Sequence, residues 1–340
     1  MKKTRTFIAL GLALAAAALL LFLPSCQKKK FYYNEGLVFG TYYNIRYEAT
    51  RDLEDEIKEE LARMDASLSV YNKNSIISRV NRNDDVQVDS LFEVMFNTAE
   101  QVTKLSHGAF DITCGPLVNE WGFGTKEKGH TPTQHQIDSI LKFIGFKYVD
   151  LDEEHHRVMK MDTRIQLDAS AIAKGYGCDI VANYLESQGC ENYLVDIGGE
   201  VVCKGHSEKG PKWRLGITKP IDDPTGEVEE IEEIIEVNNI CIASSGNYRR
   251  FYYDNGGERR SHTVDPRTGY PVNHSLLSAT VIAKSGIMAD ALATACMVLG
   301  EHDALEMIES LDDVSCHLII ANGDGTRVAI SSGWLEDVTE

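Results

Sequence analysis

The sequence predicts an α+β fold, and three observations carry that expectation. Short β-rich runs and helical runs alternate irregularly instead of repeating a strand–helix unit. Several strand candidates follow one another with no helix between them, as in antiparallel sheets. No G-x-G-x-x-G or G-x-x-x-x-G-K-[ST] loop opens a helix after a strand, so the usual nucleotide-binding loops are excluded.

The first 26 residues stand apart from the fold. Lys2, Lys3 and Arg5 precede an apolar run over 7–23, and Leu23-Pro24-Ser25-Cys26 follows. This is the pattern of a secretory signal. Cys26 at the cut resembles a lipobox, which would make it the lipidated N-terminus of the mature chain. Pro24 departs from the small residue usual there, and an uncleaved anchor is the alternative. Both readings place the remainder on the periplasmic side of a bacterial membrane. Residues 27–36 are expected to be a tether and 37–333 one domain.

Within that domain, 37–47 alternates as a strand with Gly40 in its middle. Over 53–70, Leu53, Ile57, Leu61, Met64 and Leu68 recur at helical spacing. Ser90 is placed to cap a helix over 91–106, a Gly-punctuated loop spans 108–129, and Gly145 stops a helix over 133–144. Short strands are expected at 149–151, 158–161 and 165–168. An alanine-rich helix over 170–188 ends at Gly189. Strands at 193–197, 200–205 and 213–218 precede an acidic, proline-containing loop over 219–230. Further strands fall at 231–237, 240–244, 249–253 and 278–283. Helices at 285–299 and 303–311 and a hairpin of 316–322 with 327–331 complete the domain.

The 340 residues are 43% hydrophobic, enough for a sizeable core. Against 34 Lys and Arg stand 52 Asp and Glu, for a net charge of −18. Such a surface repels phosphate backbones, so no nucleic-acid partner is expected. Beyond Cys26 the chain holds seven cysteines, none in a C-x-x-C pair and none at zinc-finger spacing from a histidine. Zinc and thioredoxin chemistry are therefore not expected, and the thiols read as small buried hydrophobes.

Four clusters are placed for chemistry. In 106–124, glycines between Phe110, Trp121 and Phe123 suit either an aromatic ligand or a packed loop. In 168–176, Asp168 to Tyr176 joins a strand end to a helix start. Free N–H groups and Lys174 would attract an anion there, although Asp168 or Ser170 serving as a cap explains the same residues. Asp290 and Thr294 share one helix face at i and i+4, as two hard oxygen ligands for Mg²⁺ or as a solvated pair. Finally, His262 precedes the turn Asp265-Pro266-Arg267-Thr268-Gly269, where it would orient a phosphate, move a proton or simply pack.

Taken together these segments resemble the ApbE family, the periplasmic FAD:protein FMN transferases. The resemblance runs through GTYYNIRY, LSVYNKNSIISRVN, GAFDITCGPLVNEWGFG, LDASAIAKGYGCD, YLVDIGGEV, SHTVDPRTGYPV and MADALATA, in order from about residue 37 to 299. It implies one compact domain of duplicated α/β halves with FAD in a cleft. It also implies Mg²⁺-dependent transfer of FMN to a Thr or Ser hydroxyl of an exported or membrane-bound redox protein, with AMP leaving. The acceptors it suggests are subunits of the sodium-pumping NADH:quinone reductase or of Rnf-type complexes. By motif, Phe39, Tyr71, Ala109, Phe110, Asp111, Asp168, Lys174 and Val264 fall at FAD-contacting positions. The Mg²⁺ position maps to the Ala171 carbonyl with Asp290 and Thr294. His262 matches a histidine important for transfer, and His262 or Asp265 is the expected base or orienting group. The chain departs from the pattern at Lys174, where several relatives carry Glu, and at Ala293, where some carry a further Asp. An FAD pyrophosphatase and a non-catalytic flavin-binding lipoprotein are the alternatives.

Overall fold

Two consecutive residues of positive φ, Phe39 at 53° and Gly40 at 76°, turn the first strand back on itself. Strand β1 (Lys30–Val38) therefore pairs with β2 (Thr41–Ala49) in a two-residue hairpin, where a single strand over 37–47 was expected. The pairing begins at Lys30, so most of the expected tether over 27–36 is strand. The computed structural model describes residues 28–124, 131–221, 230–248, 250–254, 256–323 and 325–339. The signal segment and Cys26 lie outside the described residues.

Eight strands form one sheet in the order β1-β2-β5-β6-β9-β12-β13-β14, every neighbouring pair antiparallel. These are β5 (Tyr193–Ile197), β6 (Glu200–Lys204), β9 (Ile240–Gly246), β12 (Leu276–Ala283), β13 (Ser315–Asn322) and β14 (Gly325–Ile330). Three small hairpins flank it: β3 (Val149–Asp152) with β4 (Arg157–Lys160), β7 (Trp213–Thr218) with β8 (Ile231–Val237), and β10 (Phe251–Tyr253) with β11 (Arg259–Ser261).

The central strands alternate because each has a core on both sides, whereas the edge strand β14 is largely exposed. From β12 and β13, Ala279, Val281, Cys316, Leu318 and Ile320 enter the helical core, while Ile282 and Ile319 turn to the opposite face. That opposite face is covered by β7, β8 and helix α9 (Trp334–Thr339), whose Trp334 packs its ring 5.3 Å from His317. Trp334 is fully buried, so the fold extends past the expected limit at 333.

The helical layer holds α1 (Glu54–Leu68), α2 (Ile76–Asn81), α3 (Ser90–Leu105), α4 (Gly115–Glu120), α5 (Gln134–Leu141), α6 (Ala173–Ser187), α7 (Gly286–Leu299) and α8 (Glu301–Glu309). Helix α1 buries Ile57, Leu61, Met64 and Leu68 as its periodicity predicts. Asp89, one residue before the expected Ser90, caps α3 by accepting from the Phe92 N–H at 2.9 Å. No strand forms over 165–168; only an isolated bridge joins Gln166 to Cys114.

Helices α6 and α7 meet at two glycines. A methyl group on Gly175 would lie 2.0 Å from the Gly286 carbonyl oxygen, and one on Gly286 would lie 2.4 Å from the Gly175 carbonyl oxygen. Only glycine permits that approach. Asp179 on α6 then accepts from the Gly286 and Ile287 N–H groups at 2.7 and 2.8 Å. It satisfies the start of α7 from a neighbouring helix, a role the Ser285 side chain does not fill.

Candidate functional site

A cleft of about 450 Å³ opens beside the α6–α7 crossing. Phe39, Tyr71, Ala109, Phe110, Asp111, Asp168, Ala171, Lys174, His262, Val264, Asp290 and Thr294 all line it. Asp265 does not. Its buried carboxylate accepts from the Arg267 N–H at 2.8 Å and from the Arg267 guanidinium at 2.9 and 3.0 Å, closing the Asp-Pro turn. Of the two expected base candidates, His262 is thus the one presented to the cleft.

The cleft has a helical wall. Asp290, 2% exposed, sits one turn before Thr294 on α7. Its Oδ2 accepts from the Gly175 N–H at 3.0 Å. In a continued helix that N–H would close on the carbonyl of Ala171, four residues earlier. The Thr294 hydroxyl lies 3.2 Å from the Ser245 hydroxyl at the end of β9. Ala171 precedes α6, in the turn where the Ile172 and Ala173 N–H groups donate to the Ala169 carbonyl at 3.1 and 2.9 Å. The donor set is therefore a carboxylate, a hydroxyl and a carbonyl whose ordinary helical donor is engaged elsewhere. Hard oxygens of this kind fit a magnesium ion.

Lys174 brings positive charge to the same wall. Its ammonium lies 2.5 Å from Glu200 Oε1 and 3.9 Å from Asp290 Oδ1. Burial disfavours that ammonium, but Asp290 and Glu200 outweigh the burial and raise its pKa, so it stays protonated. With Arg250 also lining the cleft, a strongly acidic chain presents two basic residues there, a surface that would attract an anion.

The opposite wall is built from turns. Phe123 and Trp121, in the loop after α4, hold the segment that carries His262. The Trp121 indole donates to the Gly269 carbonyl at 2.8 Å, and Arg250 donates to the Phe123 carbonyl at 3.0 Å. The His262 N–H donates to the Arg250 carbonyl at 3.0 Å, and its Nδ1 lies 3.3 Å from the same oxygen. Burial, then the nearby charge of Arg250, lowers the His262 pKa to about 4. The ring is neutral at pH 7. With Nδ1–H directed at the carbonyl, Nε2 is left as the acceptor.

Aromatic surface completes the cleft. Phe39 packs against α6 over Gly177, where a methyl group would lie 3.1 Å from its ring. Tyr71 is 58% exposed beside it, and a side pocket of about 130 Å³ opens between them, lined also by Met64, Leu68 and Val70. Asp111 lines the cleft, but its carboxylate is engaged internally, accepting from the Thr113 N–H and hydroxyl and from the Phe146 N–H at 2.7–2.8 Å. The Asp168 carboxylate accepts from the Ser170 N–H at 2.8 Å and shapes the turn into α6.

Sequence reasoning passed over Glu200, Arg250, Ser244 and Ser245, all of which line the cleft. For Glu200 a signal existed. A charged residue directly ahead of the apolar run Val201-Val202-Cys203, behind two glycines, is out of place in a buried strand.

The ApbE family profile matches residues 39–318. The chain belongs to the ApbE family. FAD:protein FMN transferase from Haemophilus influenzae is 37% identical over 340 residues, with 96% of each chain covered. The Vibrio cholerae protein of the same name is 36% identical, covering 94% of this chain and 97% of the relative. The solved structure of flavin transferase ApbE from Vibrio cholerae superposes with a TM-score of 0.81 at 35% identity, covering 91% of this chain and 99% of that one. With these ApbE relatives the chain shares its antiparallel α+β fold, and like them it is a transferase.

Proposed function

We propose that the protein transfers FMN from FAD to a Thr or Ser hydroxyl of an exported or membrane-bound redox protein and releases AMP. The observation that carries this reading is the gathering of Asp290, Thr294, Ala171, Lys174 and His262 in one cleft with Phe39 and Tyr71. The aromatic pair and side pocket offer flat apolar surface to the isoalloxazine. Lys174 and Arg250 offset the charge of the diphosphate. A magnesium ion held by Asp290, Thr294 and the Ala171 carbonyl would draw further negative charge from the phosphates. His262, neutral and with Nε2 as acceptor, orients the incoming hydroxyl and takes its proton as the new phosphoester bond forms. The bond to the AMP phosphate breaks in the same displacement, and AMP carries away the electron pair.

The signal pattern and Cys26 support a lipid-anchored enzyme on the periplasmic side of a bacterial membrane. Subunits of the sodium-pumping NADH:quinone reductase or of Rnf-type complexes are the acceptors we propose.

Incubating the protein with FAD, Mg²⁺ and such an acceptor subunit tests the reading by intact mass and in-gel flavin fluorescence. The expected product is an acceptor heavier by one FMN residue, formed only with Mg²⁺ present. AMP release at an unchanged rate with no adduct would replace the reading with an FAD pyrophosphatase. FAD left whole would point to a flavin-binding protein.

A further inference from the structure

Glu200 is buried in the cleft and has no part in the reading above. It opens β6 directly after Gly198 and Gly199, both of positive φ, and its side chain is 3% exposed. Oε1 contacts Lys174 at 2.5 Å, while Oε2 has no hydrogen-bond partner among the described residues. A carboxylate oxygen left bare in the interior is costly, so its position calls for a physical reason.

The neighbouring carboxylate supplies one. Asp290 Oδ2 is held by the Gly175 N–H, so Oδ1 is the oxygen left for a cation. Oδ1 is also the oxygen 3.9 Å from the Lys174 ammonium. Were the ammonium to close that gap, it would occupy the edge of Asp290 that a divalent ion needs. Glu200 holds the ammonium at the shorter distance, 2.5 Å against 3.9 Å to Asp290.

We propose that Glu200 is a positioning residue that holds the Lys174 ammonium off Asp290, keeping Oδ1 open to a divalent cation and the ammonium beside the FAD diphosphate. The inference rests on the reading of Asp290 as a cation ligand. It makes the effect of Glu200 on cation affinity act through Lys174.

The test is a titration of the detergent-solubilised, FAD-free full chain with Mn²⁺ as the probe, following free ion by electron paramagnetic resonance. Glu200→Gln is expected to weaken Mn²⁺ binding about tenfold, because the released ammonium competes for Asp290. Lys174→Met removes the competitor and is expected to leave Mn²⁺ binding as tight as in the parent or tighter. In the Lys174→Met background, adding Glu200→Gln is expected to change little. A tenfold loss in both backgrounds would make Glu200 a ligand in its own right and overturn the proposal. So would an unchanged affinity in Glu200→Gln alone. Should Glu200→Gln fail to fold in a thermal melt, weaker Mn²⁺ binding by Lys174→Met would suffice to overturn it. Asp290→Ala separates the two levels. Parental Mn²⁺ affinity in that variant would remove the cation-ligand reading itself, whereas lost binding leaves only the role of Glu200 in question.

Discussion

The two walls of the cleft are made in different ways. The helical wall is set by backbone contact: Gly175 and Gly286 touch, Asp179 caps α7 from α6, and the Gly175 N–H holds Asp290. The opposite wall is a set of turns, pinned by single bonds such as Trp121 to Gly269 and Arg250 to Phe123. Tyr71, at the mouth, is mostly exposed. Oxygens fixed by helix contact on one side and rings and turns on the other would suit the proposed reaction, in which the phosphate geometry is constant and a protein acceptor enters and leaves.

Substitutions on the two walls should therefore fail differently. Asp290→Ala is expected to cut FMN transfer by on the order of a thousandfold while sparing much of the flavin contact, since it removes the proposed cation ligand together with the acceptor of the Gly175 N–H. Initial rates of adduct formation and FAD fluorescence quenching measure the two parts. Gly175→Ala tests the helix crossing itself. A methyl group 2.0 Å from a backbone oxygen and 2.7 Å from Asp290 Cβ forces the helices apart, with an expected loss of about 3 kcal/mol in denaturant unfolding. An unchanged unfolding midpoint would mean the crossing is looser than described.

On the other wall, His262→Ala is expected to slow transfer about a hundredfold with the fold and FAD affinity intact. The pH profile sharpens the point. Because burial, then the charge of Arg250, lowers the His262 pKa to about 4, the ring stays neutral as pH falls through the ordinary imidazole range. The acid limb of kcat/KM is expected near pH 4, and a limb at about 6.5 would show that the ring is not desolvated in the working enzyme. The smallest effect is expected at the exposed rim. Tyr71→Ser should weaken FAD binding about tenfold, read by fluorescence titration, with little change in the rate at saturation.

Much of this architecture was legible in the sequence because it rests on local signals. The apolar spacing of α1 and the alanine-rich runs of α6 and α7 placed those helices, and Asp290 and Thr294 were visible as a pair one turn apart. What was not legible depends on backbone conformation, on which nearby group a side chain engages, or on partners far along the chain. Phe39 holds a positive φ that its residue type does not announce, so the first hairpin read as one strand. The cap of α3 fell to Asp89, whose carboxylate also accepts from the Ser67 hydroxyl on α1, a contact no local pattern shows. The contact of Lys174 with Glu200 and the bond from Gly175 to Asp290 join segments brought together only by the fold. Asp265 and His262 are equivalent candidates in the sequence, and only the engagement of the Asp265 carboxylate by Arg267 separates them.

The most direct measurement is a crystal structure of the protein soaked with FAD and Mg²⁺. The expected density is a cation bonded to Asp290, Thr294 and the Ala171 carbonyl and touching the diphosphate, with the isoalloxazine between Phe39 and Tyr71. A cation bound elsewhere, or FAD absent from this cleft, would contradict the account.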